Sequence, residues 1–247
     1  MHENYGDIFT QRGKQYHYAM TQYPKARQLE FLAGLEFFDF STIENLVDVP
    51  SGPGYLSKYL KEVSSVTHYI PLDPSQTFSA CGEEILLFEN FGELPIETGS
   101  VDASLSLAGL HHESKRVRFY EEVFRILKPK SKFVIGEVIP ESSEALFLNE
   151  FVDQHSSLGH KGDFLDKAQE VSFLKQVGFK HVDYKVKEYS WDFSNEKQAL
   201  DFFVNLFGID KVEDHALSEA VRTILGINEG TGFYNVNWKL AFFIATK

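Results

Sequence analysis

The chain of 247 residues has one cysteine, Cys81, which excludes an intramolecular disulfide and, by counting, every four-cysteine zinc site. Basic residues are also scarce. Twenty-four Lys and Arg stand against 36 Asp and Glu, a net charge of −12, so the surface field repels polyanions and nucleic acid is a poor partner. No stretch approaches the roughly 18 uninterrupted apolar residues of a membrane span, and the polar start MHENYGDIFTQRGKQYHYAM does not read as a signal peptide. With the lone thiol, this points to a reducing, cytoplasmic setting. Repeats, low-complexity tracts and Pro/Gly linkers are missing too, which favours one globular domain over 1–247.

What the chain does have is alternation. A helix follows Pro24, with Leu29, Leu32, Ala33 and Phe37 at helical spacing, and NLVDVP (45–50) reads as a short buried strand. Leu56, Tyr59, Leu60 and Val63 mark the next helix. Strands are expected at 67–73, 84–90, 101–110 and 132–138. Between them lie a short helix near 75–83 and a helix carrying Val117, Tyr120, Phe124 and Leu127 that Pro129 ends. Strands alternating with helices imply crossovers and a mostly parallel sheet. Beyond residue 140 the rhythm breaks: 141–163 is polar and aromatic with no clean strand, and a helix over 165–177 ends at Gly178. HVDYKVK and FYNVNWKLAFFIAT then alternate with period two, as an antiparallel pair should, around helices near 195–207 and 212–225. The expected fold is α/β: a Rossmann-like, seven-stranded, mostly parallel sheet with an antiparallel final strand and helical caps from 1–30, 141–163 and 194–231.

Two features carry chemistry. In LVDVPSGPGYLSKYL (46–60), Asp48 ends a strand and Gly52 and Gly54 open a helix, where free amides and a close backbone approach suit a ligand, although such loops also occur as plain turns. Asp73, nineteen residues after Gly54, sits where an acid can accept from both ribose hydroxyls. A nicotinamide fingerprint would need a third small residue, which Gly52-x-Gly54-x-x-Ser57 only approximates. His111 and His112 follow the fourth strand at the ligand-binding edge of such sheets, or simply pack and cap the next helix. His155 and His160, flanked by Asp153 and Asp163, match no zinc spacing and read as polar residues of a mobile lid, so no metal is expected. Aromatics make up 15% of the chain, more than a core of this size needs, and part of them should line a pocket.

Over residues 44–140 these features resemble class I S-adenosylmethionine (SAM) dependent methyltransferases, especially the small-molecule, quinone-biosynthesis-like type 11 branch. DVPSGPG is similar to that family's D-x-G-x-G-x-G motif, with Pro50 in place of the first glycine, and LKP before the fifth strand is its most specific piece. The resemblance implies SAM as cofactor, held by Asp48, Ser51, Gly52, Gly54, Asp73, Pro74, Asn90, Phe91, Leu107 and Ala108. Asn90 stands where the family usually carries aspartate. It implies methylation of a small, largely apolar or aromatic molecule, with His112 the first choice and His111 the second for removing a proton. Two alternatives stay open: a SAM-binding enzyme catalysing another step, such as a cyclisation, and a non-catalytic partner subunit.

Overall fold

The computed structural model describes residues 5–63, 68–81 and 84–247. The expected strand start at Thr67, the far end of the 75–83 helix and the first four residues of the N-terminal cap lie outside them. Two helices come first, α1 (Tyr5–Gln22) and α2 (Gln28–Leu35). The alternating part follows as β1 (Asn45–Asp48), α3 (Leu56–Val63), β2 (His68–Asp73), α4 (Gln76–Ser79), β3 (Leu86–Leu87), β4 (Val101–Leu107), α5 (Arg116–Ile126) and β5 (Leu127–Glu137). Then come α6 (Ser143–Leu146), a π-helical turn (Phe147–Val152), α7 (Asp153–His155), α8 (Lys167–Val177), β6 (His181–Phe193) and α9 (Glu196–Phe207). The chain closes with α10 (Asp214–Ala220), a second π-helical turn (Val221–Leu225), β7 (Ile227–Gly230) and β8 (Phe233–Thr246). Among the described residues no helix is long and apolar enough to cross a membrane.

The sheet runs β3-β2-β1-β4-β5-β8-β6, with β7 added to β8. The first five strands are parallel, and β8 is antiparallel to β5, β6 and β7. Leu46 and Val47 of β1 and Ala103 and Leu105 of β4 are fully buried, because helices cover both faces there. The direction of strand addition reverses between β1 and β4. In open α/β sheets that switch point leaves a crevice beyond the carboxyl ends of the strands, where ligands bind.

The seven expected strands are present, and β7 is an eighth. INEG has neither alternation nor an apolar face, so only its pairing with β8 makes it a strand. The strand expected at 84–90 shrinks to Leu86–Leu87, an edge pairing two residues deep. The break at 141–163 is largely helical. α1 escapes a hydrophobicity reading because its inward positions at i, i+4, i+7 and i+11 are Tyr5, Phe9, Arg12 and the partly buried Tyr16, aromatic and charged, with Ala19 and Met20 buried only towards its end. Gly13 lets this helix lie against α4, since a Cβ there would come within 2.9 Å of Thr77 Cγ2.

Candidate functional site

The switch point gathers the two acids singled out by the sequence. Asp48, at the end of β1, is buried and accepts a hydrogen bond from the Tyr69 hydroxyl at 2.7 Å. Burial pushes its carboxyl up to about 7, against the pull of that bond, and the neighbouring Asp73 adds to the rise. Asp73, at the end of β2, is fully buried and accepts from three donors: Gly52 N at 2.8 Å, Ser75 N at 2.8 Å and the Tyr5 hydroxyl at 2.9 Å. Burial raises it to about 6 even so. Gly52 and Gly54 have φ of +57° and +84°, a left-handed backbone that explains glycine at both positions. Ser51 is buried, its N–H donating to Leu72 O. The loops after β1 and β4 touch: a Cβ on Gly109 would meet Pro50 Cγ at 2.6 Å.

Two cavities flank this centre. One, of about 580 Å³, lies beyond β2 and β3 and is lined by Tyr5, Pro74, Gln76, Glu89, Asn90 and Phe91 among others. Asn90 Oδ1 accepts from Gly92 N, which leaves its amide N–H groups to donate. The other is small, about 50 Å³, and lies beyond β4 and β5. Phe9, Arg12, Tyr16, Ala108, His111, His112, His160, Trp191 and Trp238 are among its walls. Leu107 is the last residue of β4, and Ala108, with φ of +51°, turns the chain into the histidines. A larger groove of about 970 Å³ between α2 and β6 has neither paired acids nor a glycine loop, so volume alone does not mark the site. α1 separates the two flanking cavities, with Tyr5 facing one and Phe9 and Arg12 the other.

The histidines are ordered by residues that sequence reasoning missed. His111 Nδ1 lies 2.8 Å from Glu137 Oε2, and Glu137 Oε1 accepts Leu110 N. Glu137 is a fully buried acid at the carboxyl end of β5, and its place in the apolar run KFVIGEV was the available signal. His160 arrives from the cap segment with its ring centroid 5.5 Å from His111 and 5.1 Å from His112. His155 does not join them and lies against Phe151 instead, the ring centroids 4.5 Å apart and the planes tilted by 52°. Burial holds His112 and His160 well below the ordinary imidazole range, and the neighbouring His111 and Arg12 charges push the same way. Arg12 donates to the carbonyls of Leu206 and Phe207, the C-terminal end of α9, where a cation is favourable. Beneath the cavity Glu30, fully buried, binds Arg27 and accepts Trp191 Nε1 at 2.9 Å.

No curated protein matches this sequence. Residues 47–135 match the methyltransferase-domain family. Among solved structures, a SAM-dependent methyltransferase from Thermotoga maritima, described as a possible histamine N-methyltransferase, superposes with TM-score 0.62 at 16% identity, covering 97% of this chain and 98% of that one. A Haloferax volcanii methyltransferase, solved with the Trm112 methyltransferase activator, gives TM-score 0.61 at 17% identity over 99% and 98% of the two chains. A phosphoethanolamine N-methyltransferase from Haemonchus contortus, solved with S-adenosyl-L-methionine, gives 0.60 at 15% identity over 99% of this chain and 60% of that one. The central strands thus match the methyltransferase-domain family model, and the chain as a whole has the fold of class I SAM-dependent methyltransferases.

Proposed function

We propose that this protein is a SAM-dependent methyltransferase acting on a small, largely apolar or aromatic acceptor. The observation that carries the reading is the meeting of Asp48, the Gly52 loop and Asp73 at the switch point, between one cavity edged by Asn90 and Phe91 and a second lined by aromatic rings. The donor set suits an adenosyl group. Asp73 is the acceptor for ribose hydroxyls, Pro74 and Phe91 give apolar surface, and Asn90 can donate to a ring nitrogen. Asp48 offers the negative charge that the cationic end of such a cofactor requires. The loop is less generous to a carboxylate, because Ser51 N, Gly52 N and Gly54 N are all spent within the fold and Pro50 has no N–H.

When bound, SAM supplies a methyl on a sulfonium that a nucleophile attacks in line, so the chain's own task is orientation. Ala108, directly after Leu107 at the end of β4, lines the smaller cavity. Phe9, Tyr16, Trp191 and Trp238 bound the acceptor space and exclude water. His112 and His111 face that space, and either can take a proton from an acceptor that must lose one, with Glu137 orienting His111. Tyr5 must leave Asp73 before a ribose can reach it, since the carboxylate is fully buried with the Tyr5 hydroxyl on it. That seat also favours the non-catalytic reading, whose signature is absence of cofactor binding.

Calorimetry with S-adenosylhomocysteine tests the proposal. Binding is expected for the parent chain. Asp73→Ala should weaken it by roughly 2–4 kcal/mol, the worth of charge-assisted bonds to two hydroxyls. No binding to the parent, or equal binding to both, overturns the reading.

A further inference from the structure

We propose that His111, His112 and His160 form a binding site for one divalent transition-metal ion of the zinc class. Each residue offers one ring nitrogen, and the three nitrogens lie within 4.8 Å of one another. A tetrahedral ion with Zn–N bonds of about 2.0–2.1 Å holds its ligands about 3.3–3.4 Å apart. Small ring rotations close that gap, because the three imidazoles already share one cavity.

The surroundings also fix the tautomers of two of the three rings. Glu137 is fully buried, and His111 Nδ1 sits on its carboxylate, so Nδ1 carries a proton and Nε2 is the nitrogen turned to a metal. Asn149, on the π-helical turn, is fixed by the loop it holds: its Nδ2 donates to Gly162 O and its Oδ1 accepts Gly162 N, both at 2.8 Å. The amide therefore cannot flip, and the His160 Nδ1 that lies 3.1 Å from Oδ1 must be a donor. His160 Nε2 is left as an acceptor as well. Two of the three ligands are thus preset by outer partners of the kind that metal-binding histidines have, a carboxylate and an amide oxygen. Three sequence-distant segments, the β4 exit, the β5 end and the 141–163 cap, cooperate to do it.

Three protein nitrogens beside a cavity of about 50 Å³ leave a fourth position open, the arrangement of a catalytic rather than a structural ion. Arg12 contributes a positive charge to the same cavity, so an anionic ligand or an ionised acceptor oxygen suits that position best. With the ion in place the histidines act as ligands, and the metal supplies the Lewis acid for the acceptor atom. The inference concerns the acceptor pocket of the proposed reading but does not depend on the cofactor: metal binding and S-adenosylhomocysteine binding are separate measurements, and either can fail alone.

The test is titration of the untagged, chelator-treated chain with Co²⁺, followed by its visible spectrum, and with Zn²⁺ by calorimetry. One saturable equivalent is expected, with the intense bands of four- or five-coordinate cobalt. His160→Gln and His112→Gln should each abolish those bands, and Glu137→Gln should weaken binding about 10–100-fold, as loss of an outer partner does. Urea midpoints for each variant separate loss of a ligand from loss of the fold, and Lys161→Ala serves as a control on the same loop that should bind normally. Absence of saturable binding by the parent overturns the proposal. So do weak octahedral bands, or a Co²⁺ spectrum unchanged in both folded histidine variants.

Discussion

Asp48→Asn should stabilise the ligand-free protein, and by an amount that depends on pH. The parent carboxyl has a folded-state value of about 7 against an ordinary 3.8, with burial as the main cause. A raised folded value means that the neutral form is favoured in the native state. The stability it contributes is full below pH 3.8 and is lost as pH rises through about 7. Three units at about 1.36 kcal/mol each set a ceiling near 4 kcal/mol. The amide keeps an oxygen for Tyr69 and has no charge to desolvate, so the variant should gain about 2–4 kcal/mol over the parent at pH 8 and almost nothing at pH 4. Urea unfolding of both proteins at pH 4, 5, 6, 7 and 8, followed by circular dichroism, reads the difference directly. Parallel stability profiles across that range would refute the argument, because they would mean that Asp48 ionises in the native state as easily as in water.

Two further outcomes are expected. Glu30→Gln leaves buried Arg27 without its carboxylate and should cost about 3–5 kcal/mol in urea unfolding, the penalty for an uncompensated interior charge; a loss within the range of ordinary surface substitutions would count against it. Without ligand, amide hydrogens of 141–163 and of α1 should exchange faster than those of β4, since these segments close cavities that must open; equal protection would remove the lid idea.

The parallel strands are legible because burial on both faces forces continuous apolar runs, as in NLVD and the latter half of β5, and because Gly or Pro ends them. Asp48, Gly52 and Asp73 are legible because their spacing follows from the strand–loop–helix geometry that brings them together. The residues that complete the second cavity are not. Glu137 is hidden in an apolar strand, and Asn149 acts through one π-helical turn, a backbone irregularity without a sequence period. His160 meets His111 only because the cap folds back over β4, so its sequence neighbours Asp153 and Asp163 are not partners of its ring: the Asp153 carboxylate accepts the backbone N–H of His160, and Asp163 pairs with Arg116. α1 does have a helical period, but in a mixed alphabet of rings and one cation that an aliphatic count passes over.

The place of β8 in the sheet bears on how the protein is made. It is the last of the eight strands in chain order, yet it lies between β5 and β6 rather than at an edge. While the chain is being synthesised, β5 therefore presents an unpaired edge and the thirteen residues of β6 have no strand partner among the described residues until Phe233–Thr246 has emerged. The parallel half draws only on residues 45–137 and can form first, but closure of the sheet must wait until Phe233–Thr246 has been delivered. Through that interval the open edges of β5 and β6 are the places where a nascent chain of this kind is most exposed to a neighbour's strand, and where a holding chaperone would be of most use.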